Sequence, residues 1–112
     1  MIAVQDLLRL KELAQLVLDH RLGQLRAAAH QLERSEGQLQ AIKAAAAPAE
    51  LPPVAAGLVE INYGRWADIR RAELNGVIAR QRAGLMAERA EATTAFGRLQ
   101  ALRGLADRTK VR

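Results

Sequence analysis

The sequence holds no cysteine, which excludes a disulfide framework and a thiolate metal site and leaves the redox environment unconstrained. Its three prolines, Pro48, Pro52 and Pro53, are confined to one short stretch, so nothing outside that stretch forbids long helices. Aromatic residues are limited to Tyr63, Trp66 and Phe96. A thick globular core needs more bulk than this, and the apolar surface is better suited to a thin seam between helices.

The short supply of reactive side chains excludes further classes. Ser35 is the one serine and stands in no elbow motif, while Thr93 and Thr94 have no base nearby in sequence. Gly-rich phosphate loops are absent too, so nucleophilic catalysis has nothing to build on. His20 and His30, the two histidines, are rotated roughly 80° from each other on a helix and cannot share a metal within it. Glu33 with Glu36, and Glu88 with Glu91, have helical spacing, but no histidine pattern accompanies them as in a bundle di-metal site. The expectation is a non-enzyme with no metal and no cofactor. No run approaches the roughly 18 apolar residues that span a bilayer, and MIAVQDLLRLK carries charges too early for a secretory signal. A soluble, cytoplasmic protein is expected.

What is present is leucine, alanine and arginine in periodic order. Leu18, Leu25, Leu32 and Leu39 recur every seventh residue, with Ala14, Ala28 and Ile42 at the matching intermediate positions. That is a heptad seam. Leu7, Leu10 and Leu22 widen the apolar stripe near the start, which suggests contacts beyond a two-stranded coil. A second seam runs through Ile78, Leu85, Ala92, Leu99 and Ala106, with Leu74, Ala95 and Leu102 as companions and Gln81 and Glu88 as interruptions. In this register Gly23, Gly37, Gly76, Gly97 and Gly104 all fall at the outermost position, where a missing side chain disturbs no packing although it weakens the helix. Each helix alone should be frayed, and the seam should hold the pair together.

With 112 residues, splitting the chain at its prolines would leave two pieces too small for independent cores. One unit over residues 1–112 is expected: an all-α, two-helix antiparallel coiled-coil hairpin. Helix 1 covers about residues 4–47, with Asp6 a candidate N-cap. The stretch AAAAPAELPPVAAG supplies the bend at about 48–57, with Pro53 suited to the first turn of a succeeding helical segment. Helix 2 covers about 58–108 and becomes regular from about residue 64. Two points stay open. Asn62-Tyr63-Gly64 can kink or break helix 2 near its start, and a turn at Asn75-Gly76 would give three helices. The helical spacing of Leu74, Ile78 and Leu85 through the second point argues for continuity.

The net charge of +5 lies entirely in residues 57–112, where ten of eleven cations are arginine. These arginines spread around the helix. They read as a solvated face with pairs to acids of helix 1 such as Asp19 or Glu33, or as a surface for an acidic protein partner. Their scatter, with so few rings for base stacking, argues against a dedicated nucleic-acid reader. Tyr63 and Trp66, one turn apart near the bend, suit packing against Leu39 and Ile42 or an exposed anchor for a partner.

The stretches LLRLKELAQLVLDHRLGQLRAAAHQLERSEGQLQAIKAA and RRAELNGVIARQRAGLMAERAEATTAFGRLQALRGLADR resemble the FliJ family of flagellar type III export proteins and their type III secretion stalk counterparts. The resemblance lies in alternating small and leucine seam residues, a central interruption, and a basic arm ending in a leucine-arginine tail. It implies a soluble hairpin, similar to the two-helix shaft of the rotary ATP synthase, that enters the central hole of a hexameric export ATPase and helps hand export chaperones or substrates to the export gate. Membrane association would then be peripheral and through partners. The implied ring contact is the end bearing both termini, around Leu7, Phe96, Arg98, Leu99, Leu102, Arg103, Leu105 and Arg108, with Tyr63 and Trp66 as further contact candidates. Two readings of other classes stand beside it: a generic coiled-coil scaffold or dimeric assembly factor, and an accessory binder of nucleic acid or anionic membrane acting through the basic second helix.

Overall fold

The computed structural model describes residues 3–45 and 52–110. The fold is an all-α helical hairpin of two elements, α1 (Val4–Ala44) and α2 (Pro53–Lys110). On α1 the protected positions begin at Leu7, Lys11, Ala14, Leu18, Arg21 and Leu25 and continue to Ile42 in alternating steps of three and four. On α2 the same alternation runs from Leu74 through Ile78, Gln81, Leu85 and Glu88 to Thr109. This coiled-coil-like seam follows from apolar residues at helical spacing, since a helix can bury only the stripe that faces its neighbour.

The chain divides into two compact units, Met1–Ala29 with Ala83–Arg112, and His30–Arg82. In the first unit Leu18, Ala95 and Leu99 form the core and Ala14 packs against it. Leu99 retains 1% of its surface, and burying such a side chain stabilises by about 1.5–3 kcal/mol. Gln15 meets Arg103, and Arg21, farther along α1, meets Glu91, farther back on α2. The two segments are therefore antiparallel. In the second unit Ala67, Leu74 and Ile78 are the buried α2 positions. Glu36 pairs with Arg82, Gln38 with Arg70, and the Ile42 carbonyl with Tyr63, so this unit is an antiparallel pair as well.

Several boundaries differ from the sequence expectation. Helix α1 starts at Val4, with Asp6 inside its first turn and the Leu7 amide bonded to the Ala3 carbonyl at 3.1 Å. Asp6 is thus no N-cap, but its charge sits where the helix dipole favours an anion. The helix ends at Ala44, short of residue 47; residues 46–51, including Pro48, lie outside the described residues. The expected bend at 48–57 is too long at its far end, because α2 already begins at Pro53. Proline suits that place: its fixed φ is helical, and the amide hydrogen it lacks has no intrahelical acceptor in a first turn. The Ala56 amide then reaches the Pro52 carbonyl at 2.7 Å.

Neither open point in helix 2 is a break, and α2 is continuous through Asn62–Gly64 and Asn75-Gly76. No glycine among the described residues adopts positive φ, the conformation that an Asn-Gly turn requires. Leu74 and Ile78, buried on either side of Asn75-Gly76, hold the helix through it. No helix among the described residues is long and apolar enough to cross a membrane.

Candidate functional site

The contact candidates from sequence separate into those the seam consumes and those it leaves outside. Leu7 and Leu99 are buried, at 6% and 1% exposure, and Leu102 is half-buried. The seam takes up nearly all the surface of Leu7 and Leu99, which leaves little of either for an outer contact and corrects that part of the expectation, and it takes up part of Leu102. Phe96 and Leu105 stay about half exposed, and Arg98, Arg103 and Arg108 are exposed.

These outer residues of the first unit do not form one patch. Phe96 and Arg103 are seven residues apart and share a flank of α2, as do Arg98 and Leu105; two residues separate Phe96 from Arg98, which turns them to opposite sides. Arg103 Nη2 donates to Gln15 Oε1 at 3.1 Å, and Gln15 Nε2 donates to Asp19 Oδ1 at 2.9 Å. The Arg21–Glu91 ion pair, at 3.7 Å, marks the other side, because Glu91 lies seven residues before Arg98. On the Gln15 side an apolar groove is lined by Leu18, Leu22, Leu25, Ala92 and Phe96, with Arg89 and Thr93 at its margin. The small side chain of Ala92 leaves that layer incompletely filled.

Apolar exposure on α1 extends beyond the residues that the sequence singled out as widening the stripe near its start. Leu10, Leu13, Leu16 and Val17 are 42%, 58%, 64% and 46% exposed. Leu10 and Leu22 were expected to widen one stripe, yet twelve residues turn them about 120° apart on a helix. Leu22 borders the groove and Leu10 faces the Arg21–Glu91 side. The signal was present as steps of three and four in Leu10, Leu13 and Val17.

In the second unit Tyr63 is half-buried and its hydroxyl donates to the Ile42 carbonyl at 3.3 Å, as expected of a residue packed near Ile42. Trp66 is 52% exposed, which overturns core packing for that ring. Its place inside is taken by Ala67, at 3% exposure, and Trp66 instead leans on Tyr63 with ring centroids 5.6 Å apart. The interhelical acids also differ from those expected. Glu36 receives Arg82 at 3.2 Å and Glu91 pairs with Arg21, whereas Asp19 accepts from Gln15. These pairs are solvent-exposed and worth about 1 kcal/mol or less each.

Two polar side chains interrupt the α2 seam. Gln81 Oε1 and Glu88 Oε2 are buried without a hydrogen-bond partner. Gln81 shares a small polar hollow with Gln31, Arg34, Ser35 and Gln38, and Ser35 is itself 8% exposed. Among the described residues no three His, Asp or Glu side chains gather as a metal site would require. Comparison with protein-family models, curated proteins and solved structures finds no match to this chain. The functional reading therefore rests on the surfaces themselves.

Proposed function

We propose that this chain is a non-enzymatic coiled-coil stalk or adaptor that works by presenting its helix flanks to protein partners. In its specific form the reading is a component resembling those of flagellar or related type III export systems, which engages a hexameric export ATPase and export chaperones. The observation that carries it is the set of exposed apolar and cationic side chains on α2 of the first unit: Phe96, Arg98, Arg103, Leu105 and Arg108. Arginine beside an aromatic or leucine side chain suits an acidic surface with apolar hollows, because guanidinium makes planar, bidentate contacts with carboxylates.

The test mixes the purified chain with an export ATPase and measures association and ATP hydrolysis. Binding at micromolar concentration with raised hydrolysis is expected, and loss of both is expected for the Arg98→Ala, Arg103→Ala, Arg108→Ala variant. Neither binding nor stimulation by the unaltered chain would rule out the export reading.

A second reading, a coiled-coil scaffold that assembles with itself, is favoured by a separate observation, the exposed leucines of α1.

A further inference from the structure

We infer that the first unit docks onto a second copy of this chain through the face formed by Leu10, Leu13 and Val17 of α1 and Leu105, Ala101 and Thr94 of α2. The inference rests on the self-assembling scaffold reading and competes with the export reading, because it covers Leu105 and Arg108.

The face can be built from helical phase. Leu10 and Val17 lie four residues before the seam residues Ala14 and Arg21, on the side where Arg21 meets Glu91. Glu91, Arg98 and Leu105, spaced by seven, line the same side of α2, and Thr94, Ala101 and Arg108 form the next row outward. The α1 half is large and apolar, with Leu10, Leu13 and Val17 at 42%, 58% and 46% exposure. The α2 half is mostly small: Gly84, Ala87, Thr94 and Ala101 are all exposed, and Leu105 is 43% exposed.

A two-fold axis parallel to the helices sets α1 of each copy antiparallel to α2 of the other, and every contact then occurs twice. Heights follow from the contacts within the unit. Leu18 packs with Leu99 and Ala95, and Gln15 bonds Arg103, so Leu13 stands level with about Gly104 and Val17 with about Gln100. Across the axis, Leu13 and Val17 meet Ala101 and Leu105 of the second copy, and small residues there let the helices approach to about 8–10 Å. At the end of the face Asp6 of one copy stands roughly 5 Å along the axis from the level of Arg108 of the other, within the span of the long arginine side chain, and this attraction is repeated by symmetry. Among the described residues neither forms a salt bridge within its own chain; the Arg108 Nε–H goes to the Gly104 carbonyl.

A permanent homodimer buries on the order of 2,000 Å² or more in total, about half of it from each copy, and what this unit offers toward that area is the exposed leucine and small-residue face.

The test is sedimentation equilibrium on the full chain, supported by circular dichroism. A mass of twice 12.2 kDa is expected at micromolar concentration, dissociating on dilution. Leu13→Glu with Val17→Glu should weaken association at least about tenfold while leaving helicity intact, since both residues lie outside the seam. Asp6→Arg and Arg108→Asp should each weaken it, and the double variant should recover. Because the chain has no cysteine, a Leu13→Cys chain mixed with an Ala101→Cys chain should form an intermolecular disulfide that a Gly23→Cys control does not. A monomer at every concentration up to about 100 µM would overturn the inference, as would a dimer whose mass and crosslinks are indifferent to Leu13 and Val17.

Discussion

Arg103 and Gln15, separated by 88 positions in the chain, are joined by a 3.1 Å hydrogen bond that crosses from α2 to α1. The bond places the two arms of the first unit in register, and Gln15 extends it to Asp19. All three residues are polar and none is fully buried, so water competes for every partner.

Arg103→Ala should therefore cost less than about 1 kcal/mol in folding stability. Urea denaturation measures that quantity directly. If Arg103 belongs to a protein-docking surface, the same substitution should weaken partner binding by much more than it weakens the fold. Equal losses in both would reduce its role to holding the helices together.

The seam should respond differently. Leu99→Ala and Leu74→Ala remove side chains left with 1% and 2% exposure, and each should cost about 2–5 kcal/mol. For a chain with so little core, that is enough to broaden or abolish the cooperative transition. Leu16→Ala, at 64% exposure, is the matched control and should shift the midpoint little.

Glycines on the outer surfaces offer the opposite sign. A Cβ added at Gly23, Gly37 or Gly97 meets nothing within 4 Å, and no glycine there has positive φ. Alanine at each should stabilise by up to about 1 kcal/mol through backbone entropy. Additive rises in thermal midpoint across the three are expected, because no two of them share a neighbour. A loss of stability at any one would show that the position is occupied in solution by something other than water.

Much of this arrangement was legible from residue spacing, and the exceptions have definite causes. Heptad leucines can bury only one stripe, so the membership of Leu18 and Leu99 in the seam followed from periodicity, whereas their pairing with each other is a matter of register that the structure supplies. The same periodicity already made Leu99 a seam residue, and it overrode the placing of Leu7 and Leu99 in an outer contact. Trp66 escaped because one turn of three residues falls 60° short of a full rotation. Tyr63 can thus reach Ile42 while Trp66 looks outward and Ala67 fills the space between the helices. The start of α2 was misjudged because proline signals both a bend and a first helical turn, and only the backbone shows which role Pro53 takes.

Glu88→Leu and Gln81→Leu should each raise stability, since an oxygen buried without a partner carries a desolvation cost on the order of 1–3 kcal/mol. Calorimetric midpoints would rise for both. An unchanged midpoint in either variant would mean that ordered water already satisfies that oxygen.

The hollow shared by Ser35 and Gln81 bears on translational degeneracy. Leucine layers repeating every seven residues look alike after a slide of one repeat, so they alone cannot favour one alignment of the arms over the next. Serine near glutamine breaks that equivalence, because displacement by a repeat in either direction would set Gln81 against Ala28 or Ile42 instead. A layer that carries an unpartnered buried oxygen is thus also the one that distinguishes the native alignment from its shifted copies. Spin labels on the two arms of a Ser35→Leu, Gln81→Leu chain should report more than one separation where the unaltered chain reports one.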